Sequence, residues 1–163
     1  MDTKQLFLAL SQNKTTQPYF DGIYAKDTVS DIEGKPQLIV CNTDASHHSG
    51  THWIAFFFEN DTCEYFDSFG KPLLFYGQEF VEFVKNFATQ FIASDKKVQS
   101  AKTATCGQYC LYFAFKKCKG HSLKKIVRNM PTSKEMLKYV QNKFHICKKS
   151  PSKFVMSCQK CAK

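Results

Sequence analysis

The sequence has no run of about 18 consecutive apolar residues, so it predicts no membrane-spanning helix. Near the N-terminus, the apolar run of residues 6–10 is brief, and it lacks both a basic leader and a clear cleavage site. We therefore expect no secretory signal peptide and no secretion. Internal repeats and interdomain linkers are absent too, so the 163 residues predict one domain with a single core.

Acidic residues are almost missing from the last third of the sequence. Residues 116–163 contain 14 Lys or Arg and one Glu, a net charge of +13, whereas residues 1–115 contain 9 Lys and 13 Asp or Glu, a net charge of −4. A basic segment of this kind attracts polyanions, because binding releases their counterions. The charge pattern favours a nucleic-acid partner; a solvated lysine-rich surface is the plainer alternative.

The eight cysteines do not follow the pattern of a secreted disulfide scaffold. The chain is not short, no secretory leader precedes it, and Cys41, Cys63, Cys110 and Cys118 lie inside apolar segments. We therefore expect reduced thiols in an intracellular protein of the cytoplasm or nucleus.

Four zinc-type ligands occur near the C-terminus: His145 and Cys147, then, after ten residues, Cys158 and Cys161. Their lysine-rich flanks are typical of an irregular tail, so we predict no metal site. Residues 150–163 lack a regular pattern and are expected to form a basic, mobile tail.

Hydrophobic periodicity predicts a chain of mixed helices and strands. The strongest signal is the spacing of three and four between Phe80, Phe83, Phe87 and Phe91, which is typical of one helix face. Residues 106–118 are apolar nearly all round, which indicates a central buried helix. The predicted helices are 2–12, 78–93, 106–118, 122–129 and 133–144; the predicted strands are 37–42, 52–58, 63–67 and 97–99; the predicted turns are 18–22 and 59–62.

Cys106 stands where a polar loop gives way to the central helix. A cysteine in the first helical turn feels the positive end of the helix dipole, which lowers the pKa of its thiol. The first N–H groups of the helix have no intrahelical partners and can donate to an oxyanion. Gly107 has no side chain and would let a substrate backbone approach closely. Cys106 is thus a candidate nucleophile, although a lone cysteine at a helix start is more often structural.

Three residues upstream could complete a thiol-hydrolase site. His52 opens a predicted strand and can take the thiol proton. Asp67 ends another strand and can fix the tautomer of the imidazole, and Gln99 could supply a side-chain N–H to the oxyanion. Taken singly, these residues have plainer interpretations as a strand-edge polar residue, a turn acid and an exposed loop amide. Their order along the chain is what favours a catalytic site.

Four segments carry a specific set of motifs: residues 18–24, residues 50–56 with His52-Trp53, residues 65–70 with Asp67 before Phe-Gly, and Gln99 followed seven residues later by Cys-Gly. On these motifs the sequence resembles the adenovirus-type cysteine proteases, the adenain family. It is more distantly similar to the SUMO-specific peptidases of the same clan. The likeness runs from about residue 5 to residue 118 and continues weakly towards residue 144.

The resemblance implies a role for each candidate residue. It makes Cys106 the nucleophile, His52 the general base, Asp67 the acid that orients it and Gln99 the oxyanion donor. Trp53 resembles the Trp that flanks the narrow cleft for small substrate residues. The substrate-binding candidates are therefore Trp53 and Gly107. The family hydrolyses peptide bonds beside Gly in viral precursor proteins or in ubiquitin-like tails.

The sequence departs from the adenoviral pattern in two respects. Adenoviral enzymes typically carry Glu at the third catalytic position, and Asp67 is closer to the SUMO-peptidase pattern, although either carboxylate can orient the imidazole. The adenoviral enzyme is also activated by a short peptide bound through a disulfide to a Cys before the Gln. Residues 93–99 contain no Cys. A covalently attached peptide is therefore not expected, whereas a non-covalent one remains open.

We predict an α+β fold of the papain-like or adenain-like kind for residues 1–149, with a small mixed sheet packed against the Cys-bearing helix. The predicted function is that of a cysteine endopeptidase that cleaves viral or virus-like precursor proteins at Gly-containing sites. Two alternatives stay open. One is a deconjugating peptidase for a SUMO-type modifier, and the other is a basic DNA-binding structural protein with an inactive protease fold.

The chemistry itself requires no cofactor. The resemblance implies DNA as an activating cofactor, and the basic residues 116–163 are where DNA would bind. Protein substrates, nucleic acid and a non-covalent activating peptide are the expected partners; no membrane partner is expected, and the protein is expected to be a monomer. The resemblance also implies a location in the virion and the host nucleus, or otherwise elsewhere inside the cell.

Overall fold

The computed structural model describes residues 1–144, which form one five-stranded sheet with helices on both faces. The helices are α1 (Thr3–Gln12), α2 (Gln78–Phe87), α3 (Cys106–Lys117), α4 (Leu123–Arg128) and α5 (Ser133–Phe144). The strands are β1 (Phe20–Tyr24), β2 (Leu38–Asn42), β3 (Trp53–Glu59), β4 (Thr62–Phe66) and β5 (Gln90–Ala93). Short 3₁₀ turns lie at Gln17–Tyr19, Val29–Asp31 and Leu73–Phe75.

The sheet is mixed, with its strands in chain order from β1 to β5. The two central pairs, β2–β3 and β3–β4, are antiparallel, whereas β1–β2 and β4–β5 are parallel. A sheet with parallel outer pairs needs crossover connections, and α2 supplies the one between β4 and β5.

Strand β3 is buried on both faces and separates two hydrophobic cores. Ala55 and Phe57 point into the core formed with α1, α3, α4 and α5, whereas Ile54 and Phe56 point into the core formed with α2. This alternation follows from the two-residue period of a strand. It explains why residues 52–58 read as a continuous apolar run.

The hairpin between β3 and β4 closes with a two-residue turn. Asn60 and Asp61 both have positive φ, 47° and 69°, and Glu59 pairs with Thr62 across the turn. These are the conformations of a type I′ turn, which suits the twist of paired strands. The predicted turn at 59–62 is thus confirmed. It places the residue before β3 and the residue after β4 at the same end of the hairpin.

The predicted helix 78–93 is wrong in its last third. Helix α2 ends at Phe87, and residues 90–93 form β5 instead. The N–H groups of Thr89 and Gln90 both donate to the Asp61 carbonyl, so the chain turns into register with β4. Phe91 matches the helical spacing only by coincidence, because its ring stacks on Tyr65 across the strand pair at a centroid distance of 5.9 Å.

Two other predictions require correction. The predicted turn at 18–22 is a 3₁₀ turn that leads straight into β1. The N–H groups of Gln37 and Leu38, where β2 begins, donate to the Asp21 carboxylate and hold this residue in the strand. The predicted strand at 97–99 is absent from the described residues. The N–H groups of Val98 and Gln99 instead both donate to the Ser68 carbonyl, which anchors this loop beside the end of β4.

The predicted domain boundary at 149, the tail of residues 150–163 and the four zinc-type ligands His145, Cys147, Cys158 and Cys161 lie outside the described residues. Within residues 1–144, no helix is long and apolar enough to cross a membrane. In the same part of the chain, no group of three or more His, Cys, Asp or Glu side chains is arranged to hold a metal ion.

Candidate active site

The candidate catalytic residues converge because three elements end at one edge of the sheet. His52 directly precedes β3, Asp67 directly follows β4, and Cys106 is the first residue of α3. The hairpin register brings His52 and Asp67 together, and α3 packs on β3 so that its N-terminus lies beside them. All three side chains are buried or nearly so.

His52 and Asp67 form a short, buried hydrogen bond, with 2.6 Å between Nε2 and Oδ1. The Asp67 carboxylate accepts three more hydrogen bonds, from the N–H groups of Phe69 and Lys71 and from the hydroxyl of Tyr76. Burial would raise the pKa of Asp67, but these donors outweigh burial and hold its pKa below the ordinary value. Asp67 is therefore a fixed negative charge next to the imidazole.

The surroundings of His52 favour the charged imidazolium. Burial alone would lower the pKa of His52, but the interactions with Asp67 and Cys106 outweigh burial and raise it to about 9. Since Asp67 occupies Nε2, the other ring nitrogen is the one left for a proton exchange with the thiol. Within residues 1–144 this Nδ1 atom is buried and has no hydrogen-bond partner.

The pKa of Cys106 shifts in the direction opposite to that of His52. Burial would raise the pKa of this thiol, but the imidazole of His52 and the main chains of Trp53 and Gly107 outweigh burial and lower it. Thr105, the residue that caps α3, makes no side-chain hydrogen bond to the helix start, which leaves the first N–H groups of α3 available. Because the pKa of Cys106 is lowered and that of His52 is raised, the two side chains can exist as a thiolate and an imidazolium.

Two aromatic side chains that the sequence analysis did not single out hold the imidazole ring. The Phe69 ring stacks on His52 at a centroid distance of 4.6 Å, and the Tyr76 ring stacks at 5.5 Å. Tyr76 thus contacts both His52 and Asp67. Phe69 belongs to the Phe-Gly motif after Asp67, but the only signal for Tyr76 is its place in the loop of residues 68–77.

We expect Tyr76→Phe to lower kcat by about three- to tenfold, because it removes one hydrogen bond to a charged carboxylate while keeping the aromatic stack. Tyr65→Phe is the matched control, since the Tyr65 hydroxyl donates to the Lys71 carbonyl and not to Asp67. Steady-state kinetics of both variants on one peptide substrate measure the effect. An equal loss in the two variants would contradict a specific role for the Tyr76 hydroxyl.

Gln99 is buried in the loop ahead of α3. Its Oε1 atom accepts from Ser68 Oγ at 2.7 Å, and its Nε2 atom donates to the Thr103 carbonyl at 2.6 Å. The side chain therefore joins the end of β4 to the segment that leads into Cys106. One of the two hydrogens on Gln99 Nε2 is donated to the Thr103 carbonyl, so only the second could be donated to an oxyanion. The oxyanion role of Gln99 stays a prediction.

Trp53 and Gly107 adjoin Cys106, but the space beside Gly107 belongs to the protein itself. A Cβ atom on Gly107 would lie 3.1 Å from the Met1 Cβ and 3.5 Å from atoms of Leu6 and Trp53. The missing side chain thus allows α1 and the residue before it to pack closely on α3. The substrate-binding roles of Trp53 and Gly107 stay predictions.

The site geometry agrees with the comparisons to known proteins. Residues 20–157 match the sequence model of a family described as adenovirus endoprotease, which covers well over half of the chain. The chain belongs to the adenovirus endoprotease family. It is therefore a cysteine peptidase whose substrates are proteins, and the predicted resemblance is confirmed. No curated protein sequence matches the chain.

The fold of this endoprotease-family member is also found in a solved structure. The crystal structure of ASFV pS273R protease superposes with a TM-score of 0.56 at 15% sequence identity, over 86% of this chain and 67% of that chain. The likeness confirms the predicted α+β fold, with its sheet packed on the Cys-bearing helix.

Proposed function

We propose that the protein is an endopeptidase that cleaves viral or virus-like precursor proteins at Gly-containing sites, with Cys106 as nucleophile. The observation that carries the proposal is geometric: Cys106, the first residue of α3, lies beside His52, whose Nε2 is 2.6 Å from the buried Asp67 carboxylate, and the pKa of His52 is raised while that of Cys106 is lowered in this arrangement. This electrostatic arrangement is what a thiolate–imidazolium mechanism needs. A buried structural cysteine would instead have a raised pKa, as Cys110 has.

The reaction runs in two halves. The Cys106 thiolate attacks the carbonyl carbon of the scissile peptide bond, and the carbonyl oxygen becomes an oxyanion that accepts from the N–H groups at the start of α3 and from Gln99. The tetrahedral intermediate expels the amine, which takes a proton from Nδ1 of the His52 imidazolium. Neutral His52 then removes a proton from water, whose oxygen attacks the thioester, and the acid product leaves as Cys106 is released.

The deconjugating peptidase is the second candidate, because Asp67 rather than Glu at the third catalytic position matches the SUMO-peptidase pattern. A substrate panel separates the two functions. We expect the protein to cleave peptides with a Gly at the scissile carbonyl at least about tenfold better, in kcat/KM, than fluorogenic amides of ubiquitin-like modifiers. The reverse order would make the protein a deconjugating enzyme. Cleavage of neither, with Cys106 unreactive toward a thiol probe, would favour the inactive DNA-binding alternative.

We also propose that nucleic acid binds the basic C-terminal third and serves as a cofactor. Helices α4 and α5 support this proposal, because their basic side chains are exposed while most of their apolar residues, Leu137 excepted, face the core. Up to residue 144, where the described part of the chain ends, the exposed basic residues of this region are Lys119, Lys124, Lys125, Arg128, Lys134, Lys138 and Lys143. A non-covalent activating peptide, a monomeric state and a location in the virion and host nucleus complete the proposal.

We expect the Lys124→Glu, Lys125→Glu double variant to weaken duplex DNA binding and to reduce the slope of log affinity against log salt by about two. Fluorescence anisotropy at several salt concentrations measures both quantities. The control is Lys96→Glu with Lys97→Glu, which makes the same charge change on exposed lysines outside the basic region. A DNA affinity that does not change with salt would contradict the proposal.

A further inference from the structure

The first residues of the chain reach the candidate active site, and their position is fixed by the start of α1. Asp2 caps this helix: its side chain accepts from the Gln5 N–H at 2.8 Å, and the Gln5 side chain accepts from the Asp2 N–H at 3.1 Å. Reciprocal capping of this kind fixes the direction in which the chain enters a helix. Leu6, one turn later, is fully buried against α3. Met1 is thereby held beside the start of α3.

Met1 contacts two residues that flank the nucleophile. Its carbonyl accepts a hydrogen bond from the Trp53 indole Nε1 at 3.1 Å, and its side chain packs where a Cβ of Gly107 would lie. The main chain of Trp53 in turn contacts Cys106. An indole N–H in a buried ring needs an acceptor, and Met1 supplies it. Met1 therefore fixes the rotation of the Trp53 ring next to the reacting sulfur.

The same Trp53 ring lines an open cavity of about 280 Å³. Thr3 forms part of its wall from the N-terminal side, Asn42 lines it from the end of β2, and His48 and Gly50 line it from the loop before His52. Trp53 is the residue that this cavity shares with the surroundings of the nucleophile, because its side chain lies against Gly107 and its main chain contacts Cys106. A peptide substrate seated in the cavity would meet Trp53 before it reached Cys106, so the orientation of this ring would affect the room for a substrate side chain there.

We propose that Met1 is a positioning residue for substrate selection: by holding the Trp53 indole against Gly107, it narrows the cleft beside Cys106 so that glycine is preferred at the scissile carbonyl. This proposal rests on the proposed peptidase function, and it identifies Met1, acting through Trp53, as what restricts the residue at the scissile carbonyl of the substrate. Met1 acts through Trp53 and need not touch the reacting atoms. Its loss is therefore expected to change selectivity more than the chemical step.

The test compares the full chain with a variant that starts at Asp2, produced by removal of a cleavable leader. Two peptides that differ only by Gly or Ala at the scissile carbonyl give the selectivity ratio of kcat/KM. We expect deletion of Met1 to lower the Gly-over-Ala ratio roughly tenfold, since one methylene changes binding in a close-fitting site by about that factor. Most of the change should appear in KM for the Ala peptide.

The second readout is independent of activity. Trp53 is the single tryptophan of the chain, so its fluorescence reports this ring alone. Deletion of Met1 should shift the emission to longer wavelength and increase quenching by acrylamide, because water then reaches the indole N–H. Met1→Gly, which keeps the carbonyl but removes the side chain, should retain the emission and lose part of the selectivity. This variant also serves if the deletion does not fold.

Ser122→Ala is the matched control, because it removes the side-chain cap of another helix, α4, while leaving both the α1 cap and Met1 in place. We expect it to lower the unfolding temperature but to keep both the selectivity ratio and the emission. An unchanged ratio or unchanged emission after deletion of Met1 would overturn the proposal, as would equal changes in the Ser122→Ala control. If the full chain cleaves neither peptide, the proposed peptidase function fails, and the emission still decides whether Met1 fixes Trp53.

Discussion

Cys106→Ala is expected to lower kcat by about 10⁵-fold or more, because removal of a nucleophile abolishes the covalent route entirely. The measurement is cleavage of a Gly-containing peptide under conditions that saturate the unaltered protein. The fold should be unaffected, since alanine at the first position of α3 has a high helix propensity. Residual cleavage close to that of the unaltered protein would exclude Cys106 as the nucleophile.

Cys118→Ala is the matched control for this substitution. Cys118 follows the last turn of the same helix, it is partly exposed, and burial raises the pKa of its thiol to about 12. The two thiols thus differ in electrostatic environment more than in accessibility. We expect the control to retain full activity. We also expect a thiol-reactive probe at neutral pH to label Cys106 much faster than Cys118, as peptide mapping would show.

Asp67→Asn is expected to lower kcat by about 10²- to 10³-fold, the scale of general acid–base catalysis. The amide keeps the volume of the carboxylate but removes the charge that, together with Cys106, outweighs burial and raises the pKa of His52 to about 9. In the proposed mechanism the active form pairs a thiolate with an imidazolium, so activity is expected to fall at high pH as the imidazolium loses its proton. Without Asp67 the pKa of His52 falls. The alkaline limb of the pH–rate profile should therefore move to lower pH.

Asp21→Asn provides the control for a carboxylate with a structural role. Asp21 also accepts two backbone N–H groups, from Gln37 at 2.6 Å and Leu38 at 2.9 Å, but it lies in β1 away from His52. We expect this variant to lose stability and to keep the alkaline limb in place. If Asp67→Asn changed only the unfolding temperature, and left the pH profile unmoved, Asp67 would be a structural residue.

The sequence allowed most of the site to be predicted, because its residues stand at element boundaries that local patterns reveal. The apolar runs that became β3 and α3 placed His52 and Cys106 at their starts, and residues 59–62 predicted a hairpin turn between β3 and β4, whose type I′ conformation only the structure shows. The contact of Tyr76 with His52 could not be predicted, because stacking between a loop residue and an imidazole distant in sequence produces no periodic pattern in the sequence. Met1 was missed for the same reason: its partners are 52 and 106 residues away.

The error at α2 has a different cause. Phe80, Phe83, Phe87 and Phe91 satisfied a helical period, but backbone hydrogen bonds to the Asp61 carbonyl ended the helix and started β5. Pairing of residues 90–93 with β4 thus outweighed the local helical periodicity. The hydrophobic pattern of one segment cannot reveal such a pairing, because the pairing depends on a distant strand. For Gln99, only part of its environment could be predicted from the sequence. Its position before Cys106 could be predicted, whereas its hydrogen bonds to Ser68 and Thr103 depend on how the loop folds back.

The two-residue turn at Asn60 and Asp61 has a consequence for how this protein can vary. The turn lies about 25 Å from His52, given the rise of roughly 3.3 Å per residue along β3. A single inserted or deleted residue there would slip β4 by one position and swing Asp67 to the opposite face of the sheet. A surface turn far from His52 thus sets the alignment of His52 and Asp67, the proposed catalytic pair. We expect the length of this turn to tolerate no change, even where its residue types can vary.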